Sequence, residues 1–228
     1  MSRGALIVIE GLDGSGKATQ AKLLAETLTA MGKNVRQITF PNYQSDSSAL
    51  VRMYLNGAFG EKPGDVNAYA ASSFYAADRY AGYKADWGEF YENGGILIAD
   101  RYTTSNAVHQ CSKLPPRRWK SFINWLYDFE YSKLGIPMPD GVIYLSVDVK
   151  VSQKLMSGRY HGDESKKDVH EKDLEYLARS RTAAAWCAER LGWNTVQCVR
   201  DGAMRSIEDI HEEVLVLAQR ILGEEDED

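Results

Sequence analysis

The run ALIVIEGLDGSGKATQAKLLAETLTAMG, residues 5–32, constrains this chain more than any other stretch. A short Ile/Val-rich segment predicts a buried strand, and a glycine-rich turn follows it. Apolar residues then recur at helical spacing (Ala18, Leu23, Leu24, Leu28, Met31) until Gly32 supplies a stop. Within the turn, Gly11, Gly16 and Lys17 satisfy the spacing GxxxxGK, in the strand–turn–helix context that gives it physical meaning. Glycines let successive backbone N–H groups converge on phosphate oxygens, and the helix N-terminus adds positive potential. Lys17 adds a mobile cation near the outer phosphates. Gly11, Leu12, Asp13, Gly14, Ser15, Gly16, Lys17, Ala18 and Thr19 together form a candidate cradle for ATP.

Ala18 departs from the pattern, because a Ser or Thr hydroxyl normally stands there and helps to hold magnesium. Mg²⁺ keeps several waters and binds mainly through nucleotide phosphates and one or two carboxylates, so a water can replace the missing ligand. Thr19 is no simple substitute, since one residue along a helix turns the side chain by about 100°. Binding of MgATP is the expectation. Asp100, at the end of the apolar run GILIAD, is the candidate for holding the metal's water shell or orienting a phosphate, and Asp13 is a second carboxylate facing the site.

Four further apolar runs, VRQITF (35–40), GILIAD (95–100), GVIYLSVD (141–148) and NTVQCV (194–199), alternate with helix-like stretches. Being short, β-branched and mostly not alternating, they predict strands covered on both faces. The expected fold is α/β, a doubly wound five-stranded parallel sheet flanked by helices. No linker or repeat divides it, so residues 1–223 read as one domain and 224–228 as a solvated acidic tail. KLPPRRWK (113–120) marks a break before a helix, and Ser206 with Asp209 resembles a capping box at the start of the last one.

The net charge of −5 gives no basic face for nucleic acid, and no apolar run of about 18 residues suggests a membrane span. Cys111, Cys187 and Cys198 are far apart with no CxxC spacing, which predicts free thiols in a reducing compartment. A soluble, cytoplasmic protein is expected.

Two other words suggest an acceptor site. SSFYAADRY (72–80) predicts a helix with Tyr75 and Arg79 one turn apart on one face, where a ring can stack on a base and a guanidinium can bond its edge. By itself that pair is more often core packing plus a surface arginine. DRYTTSNAVHQ (100–110) follows the third strand.

GLDGSGK, FYAADRY and DRYTTSNAVHQ, in this order and at these separations, resemble the thymidylate kinases, P-loop nucleoside-monophosphate kinases, over nearly the whole chain. The resemblance implies transfer of the γ-phosphoryl of ATP to dTMP, with magnesium, on a P-loop NTPase-type fold, usually in a homodimer. It implies that Asp13 meets the sugar and monophosphate side, Tyr75 (or Phe74) stacks on thymine, Arg79 reaches the base edge and Arg101 holds the acceptor phosphate. It also implies base contacts from Ser105 and Asn106 and a sugar pocket lined by His109 and Gln110. In FPNY (40–43) an arginine that many members use to clamp the acceptor phosphate is missing, and Tyr43 is expected to hydrogen-bond instead.

The charged, glycine-bearing stretch 155–173 is the expected mobile lid. Some members carry a catalytic arginine inside the phosphate loop, but here that loop has Gly14 and Ser15. The lid would then deliver it, with Arg159 the leading candidate and Lys166 or Lys167 as alternates. His161 and His170 match no zinc spacing. RDGAM (200–204) lies where adenine sits in the family. Two other readings stay open: a kinase for a different (deoxy)nucleoside monophosphate, and a non-catalytic nucleotide-binding regulator in which Ala18 marks lost activity.

Overall fold

The computed structural model describes residues 3–148, 151–152 and 173–224. The candidate lid cations Arg159, Lys166 and Lys167, the two histidines His161 and His170, and tail residues 225–228 lie outside the described residues.

Five strands form one sheet: β1 (Ala5–Gly11), β2 (Val35–Thr39), β3 (Ile96–Asp100), β4 (Gly141–Ser146) and β5 (Asn194–Gln197), in the order β2-β3-β1-β4-β5. Every neighbouring pair is parallel. Successive residues point to opposite faces, and both faces are covered, so nearly every side chain in β1, β3 and β4 is apolar. Leu6, Val8, Leu97, Ala99, Val142 and Tyr144 pack on one side against α5 (Thr103–Cys111), α6 (Trp119–Tyr127) and α7 (Leu174–Arg190). Ile7, Ile9, Ile98, Ile143, Leu145 and Val196 pack on the other against α1 (Lys17–Ala30) and α8 (Ile207–Ile221).

The helix α1 buries Gln20, Ala21, Leu24 and Leu28, whereas Ala18 and Met31, expected on the buried stripe, are exposed. The stripe is rotated because α1 lies against α8 as well as the sheet, and Gln20 donates to Ile207 O at 2.9 Å. Gly32 ends the helix at φ 83°, with Lys33 N donating to Leu28 O. The Ser206 cap is half a capping box. Its Oγ accepts from Asp209 N at 3.0 Å, but the Asp209 carboxylate turns to Arg205. The run 194–199 also splits. After Cys198 the chain forms a hairpin, Val199–Arg200 with Ala203–Met204, around Asp201 and Gly202, both at positive φ.

After α2 (Ala49–Leu55), the helix α3 (Ala68–Gly82) is capped by Asn67, whose side chain accepts from Tyr69 N and Ala70 N at 3.0 Å each. A π-helical turn (Tyr83–Trp87) carries it into α4 (Gly88–Glu92), and a second one, Asp128–Lys133, follows α6. Cys111, Cys187 and Cys198 are free and buried. No described helix is long and apolar enough to cross a membrane. At the tail, Lys33 pairs with Glu224.

Candidate active site

In a parallel sheet the order reverses beside the first strand, and the loops leaving the carboxyl ends on either side open a crevice there. Here Ile9 is paired with Asp100, and Asp100 with Thr39, so the phosphate loop, the DRY loop and the FPNY loop leave the sheet at one edge. They surround a cavity of about 900 Å³ lined by Asp13–Gln20, Thr39–Gln44, Tyr75, Arg79, Asp100–Tyr102, Ser105, Asn106, His109 and Gln110, with Met204, Arg205 and Ile207 at the other end.

The loop has the backbone that phosphate binding needs. Gly14 and Gly16 lie at φ 79° and 83°. A Cβ at Gly11 would stand 2.3 Å from Ser15 Oγ, so the close approach of the loop to its own start demands glycine. No side chain caps α1, which leaves its first N–H groups available for an anion.

Charge is concentrated around Asp13. One of its oxygens lies 3.4 Å from Lys17 Nζ and accepts a hydrogen bond from Arg101 Nη2. Burial works against the Asp13 charge, but Arg101 and Lys17 outweigh it and hold its pKa well below the usual carboxylate range. Burial and Arg101 push the Lys17 pKa down, with Asp13, Asp100 and Glu10 opposing. Burial opposes the Arg101 charge too, but Asp13, Glu10 and Asp100 raise its pKa further. Arg101 sits at φ 68°, an uncommon conformation for a side-chain-bearing residue, with its N–H bonded to Ile9 O at 3.2 Å. Its Nη1 lies 3.3 Å from Ser105 Oγ and 3.4 Å from His109 Nε2.

Three buried carboxylates that local patterns left unnoticed organise the surroundings. Glu10 accepts from Gly11 N at 2.9 Å, Thr104 Oγ1 at 2.6 Å and Ser105 Oγ at 2.8 Å, so it ties the first turn of α5 to the phosphate loop. An acid inside an otherwise apolar buried strand was itself a signal, because such a charge must be paired. Asp78 accepts from Asn42 N at 2.8 Å and Ser47 Oγ at 2.6 Å and pins the FPNY loop to α3. Glu130, in the π-helical turn after α6, binds Arg79 through two hydrogen bonds of 2.7 and 2.6 Å. No local pattern marks Glu130, since its partners come from distant segments.

Tyr75 lines the cavity, whereas its neighbour Phe74 packs away from it against Tyr54 and Phe59. Tyr43 is on the rim and exposed. Arg79 is buried, not a surface arginine on a packed face, yet it reaches the cavity wall. His109 stacks near Tyr176, whose hydroxyl lies 3.2 Å from His109 Nδ1. Gln110 is fully buried, and both its amide atoms lack a hydrogen-bond partner. Gly11 and Leu12 lie behind the lining, while Ala18 and Thr19 are exposed on it.

A family model for thymidylate kinase matches residues 9–214, nearly the whole chain. The chain belongs to the thymidylate kinase family. A thymidylate kinase of Mycobacterium tuberculosis is 30% identical over 190 residues, 82% of this chain and 87% of the relative. A probable thymidylate kinase of Pyrococcus abyssi is 31% identical over 221 residues, 96% of this chain and 98% of that one. The human thymidylate kinase is 26% identical over 224 residues, 95% and 91% of the two chains. The solved structure of thymidylate kinase from Candida albicans shares the fold, with a TM-score of 0.72 at 22% identity over 99% of this chain and 96% of the other. The family's nucleotide chemistry thus meets a cleft whose cations, aromatic ring and backbone N–H groups are suited to two anionic nucleotides.

Proposed function

We propose that the protein transfers the γ-phosphoryl group of ATP to dTMP, giving ADP and dTDP. The observation that carries the reading is the pair of cations on either side of Asp13: Lys17 from the phosphate loop and Arg101 from the loop after β3. Two phosphate-binding cations that share one carboxylate fit a donor and an acceptor phosphate held tip to tip. ATP would lie along the phosphate loop with its adenine toward Met204 and Arg205, and dTMP toward Arg101, with its base between Tyr75 and the wall formed by Arg79 and Asn106.

An oxygen of the acceptor phosphate attacks the γ-phosphorus, and the bond from that phosphorus to the β–γ bridging oxygen breaks, leaving ADP. The acceptor oxygen is already anionic, so no general base is needed. Catalysis is positioning plus stabilisation of charge by Lys17, Arg101 and the loop N–H groups. Asp13, acceptor-only and sharply held, fits the sugar-and-monophosphate side.

The residues present fit magnesium. Asp100 Oδ1 is buried in the site without a hydrogen-bond partner, as a group reserved for a metal's water shell would be. When bound, the ion neutralises charge on the β- and γ-phosphates. Arg159 is proposed as the lid cation, a homodimer as the working form and the cytoplasm as its place, all three from the family resemblance.

A coupled assay of ADP release with dTMP, dUMP, dCMP, dGMP and thymidine tests the reading. Turnover stimulated above all by dTMP is expected. Preference for a different monophosphate would make the protein a kinase of that compound, and no acceptor-stimulated turnover would make it a regulator.

A further inference from the structure

We propose that Glu130 is a positioning residue that makes the base pocket selective for a 4-oxo pyrimidine over a 4-amino one. The inference rests on the reading of this cavity as the dTMP site and adds a residue that touches no substrate.

Glu130 is completely buried, and its two oxygens take four hydrogen bonds. Oε2 accepts from Arg79 Nε at 2.7 Å and Thr103 Oγ1 at 2.8 Å. Oε1 accepts from Arg79 Nη2 at 2.6 Å and Asn106 Nδ2 at 3.1 Å. Asn106 Nδ2 also donates to Ser72 O at 3.2 Å. A carboxylate and a backbone carbonyl can only accept, so the Asn106 amide has a single stable orientation. Both its protons face Glu130 and Ser72, and Oδ1, with no partner among the described residues, is left to the cavity that Asn106 lines.

The wall therefore offers one group that can only accept, Asn106 Oδ1, beside one that can only donate, the Arg79 guanidinium. A 4-oxo pyrimidine presents N3–H as donor and O4 as acceptor, and both match. A 4-amino pyrimidine presents N3 as acceptor and the amine as donor, and both are opposed. Gln110 adds no such preference, because neither of its amide atoms is bonded and no partner fixes which end faces the base. Discrimination thus passes through the Arg79 guanidinium and the Asn106 amide, both of which bond to Glu130.

Glu130→Gln tests this, because the new amide faces at least one donor among Arg79 and Asn106. Whichever way that amide lies, its NH₂ replaces an oxygen that takes an Arg79 N–H, so the guanidinium is displaced from the base edge, while Ser72 O still holds Asn106. The kcat/KM ratio of dTMP to dCMP should be about 100-fold or more in the unmodified protein, since opposed polar groups in a closed pocket are strongly rejected. It should fall by about 10-fold or more in the variant, mainly through a higher KM for dTMP, with the KM for ATP unchanged. A merely structural role would weaken both acceptors alike and leave the ratio where it was. A ratio within about twofold of the starting value overturns the inference alone. A protein that takes no 4-oxo pyrimidine monophosphate at all overturns the functional reading with it. If Glu130→Gln does not fold, Asn106→Ala decides. It leaves the Arg79–Glu130 pair intact and removes the locked acceptor, so the ratio must fall by about the same factor, and an unchanged ratio again overturns the inference.

Discussion

Arg101 is held at φ 68° while its side chain bridges the phosphate loop and α5, so two effects of replacing it can be separated with a pair of variants. Arg101→Ala and Arg101→Gly both remove the guanidinium, and both leave Asp13 and Glu10 without that cation. Each should lose the two charge-assisted hydrogen bonds a planar guanidinium can give a phosphate, about 3–5 kcal/mol, or a fall of about 10²–10⁴ in kcat/KM for dTMP. Their stabilities should differ. A Cβ in the left-handed region costs about 1–2 kcal/mol, which glycine avoids. Glycine in turn loses about 0.5–1 kcal/mol more through the freedom of the unfolded chain. The balance favours Arg101→Gly by about 0.75 kcal/mol, the reverse of the usual order, or about 2 °C in midpoint for a chain of this size. Urea unfolding of both variants, with slopes compared to confirm the same transition, measures the difference. An alanine variant more stable than the glycine one would refute the argument that the fold imposes this backbone, and equal dTMP kinetics in the two variants are required for the charge argument to stand.

Tyr75→Ala should raise the KM for dTMP by about 5- to 150-fold, from about 1–3 kcal/mol of base stacking, and leave the KM for ATP unchanged. An unaltered dTMP KM, with a rise in Phe74→Ala instead, would move the stacking role to Phe74. Arg159→Ala should lower kcat by about 10³-fold, and a change below about threefold in single-turnover measurements would remove it from the reaction. Ala18→Ser should shift the magnesium concentration for half-maximal rate by less than about threefold, since water already supplies the ligand, and a tenfold shift would show that it does not. Burial pushes the Lys113 pKa down to about 7, although Lys113 Nζ donates to Tyr54 Oη at 2.6 Å and Val66 O at 3.2 Å. Between that value and the ordinary lysine value the unfolded chain binds more protons, so stability rises with pH from about 7 upward, at most about 1.4 kcal/mol per unit. Lys113→Met should abolish that part of the rise in thermal midpoint between pH 7 and 9, and equal rises in both proteins would contradict it.

The parts of this molecule legible in its sequence are those that local chemistry dictates. Five short apolar runs predicted the strands because both faces of a parallel sheet are covered, and each run reappears in the sheet. The phosphate loop was legible because Gly11, Gly16 and Lys17 are needed within a few residues of one another. Helical spacing was less informative where two surfaces compete for one helix. It put Ala18 and Met31 on the buried face of α1, while contact with α8 selected Gln20 and Ala21. Cys198 ended β5 two residues early for a similar reason: the hairpin after it, not β-propensity, sets the boundary.

What local patterns could not show is how the polar groups of the site are held. Arg79 was readable as a base-edge donor from its place one turn after Tyr75, but that spacing fits an exposed arginine equally well. Its burial depends on Glu130, 51 residues away. The same is true of Asp78, which holds the FPNY loop 36 residues upstream, and of Glu10, which reaches Thr104 94 residues downstream. Each is an acid whose desolvation is tolerable only because distant donors converge on it, and removing one partner leaves the other buried and unpaired. These pairs connect the sheet, α3, α5 and the turn after α6 around the cavity. Substitutions at Glu10, Asp78 or Glu130 should therefore disturb substrate kinetics as well as stability, although none of the three is a ligand in the proposed reaction.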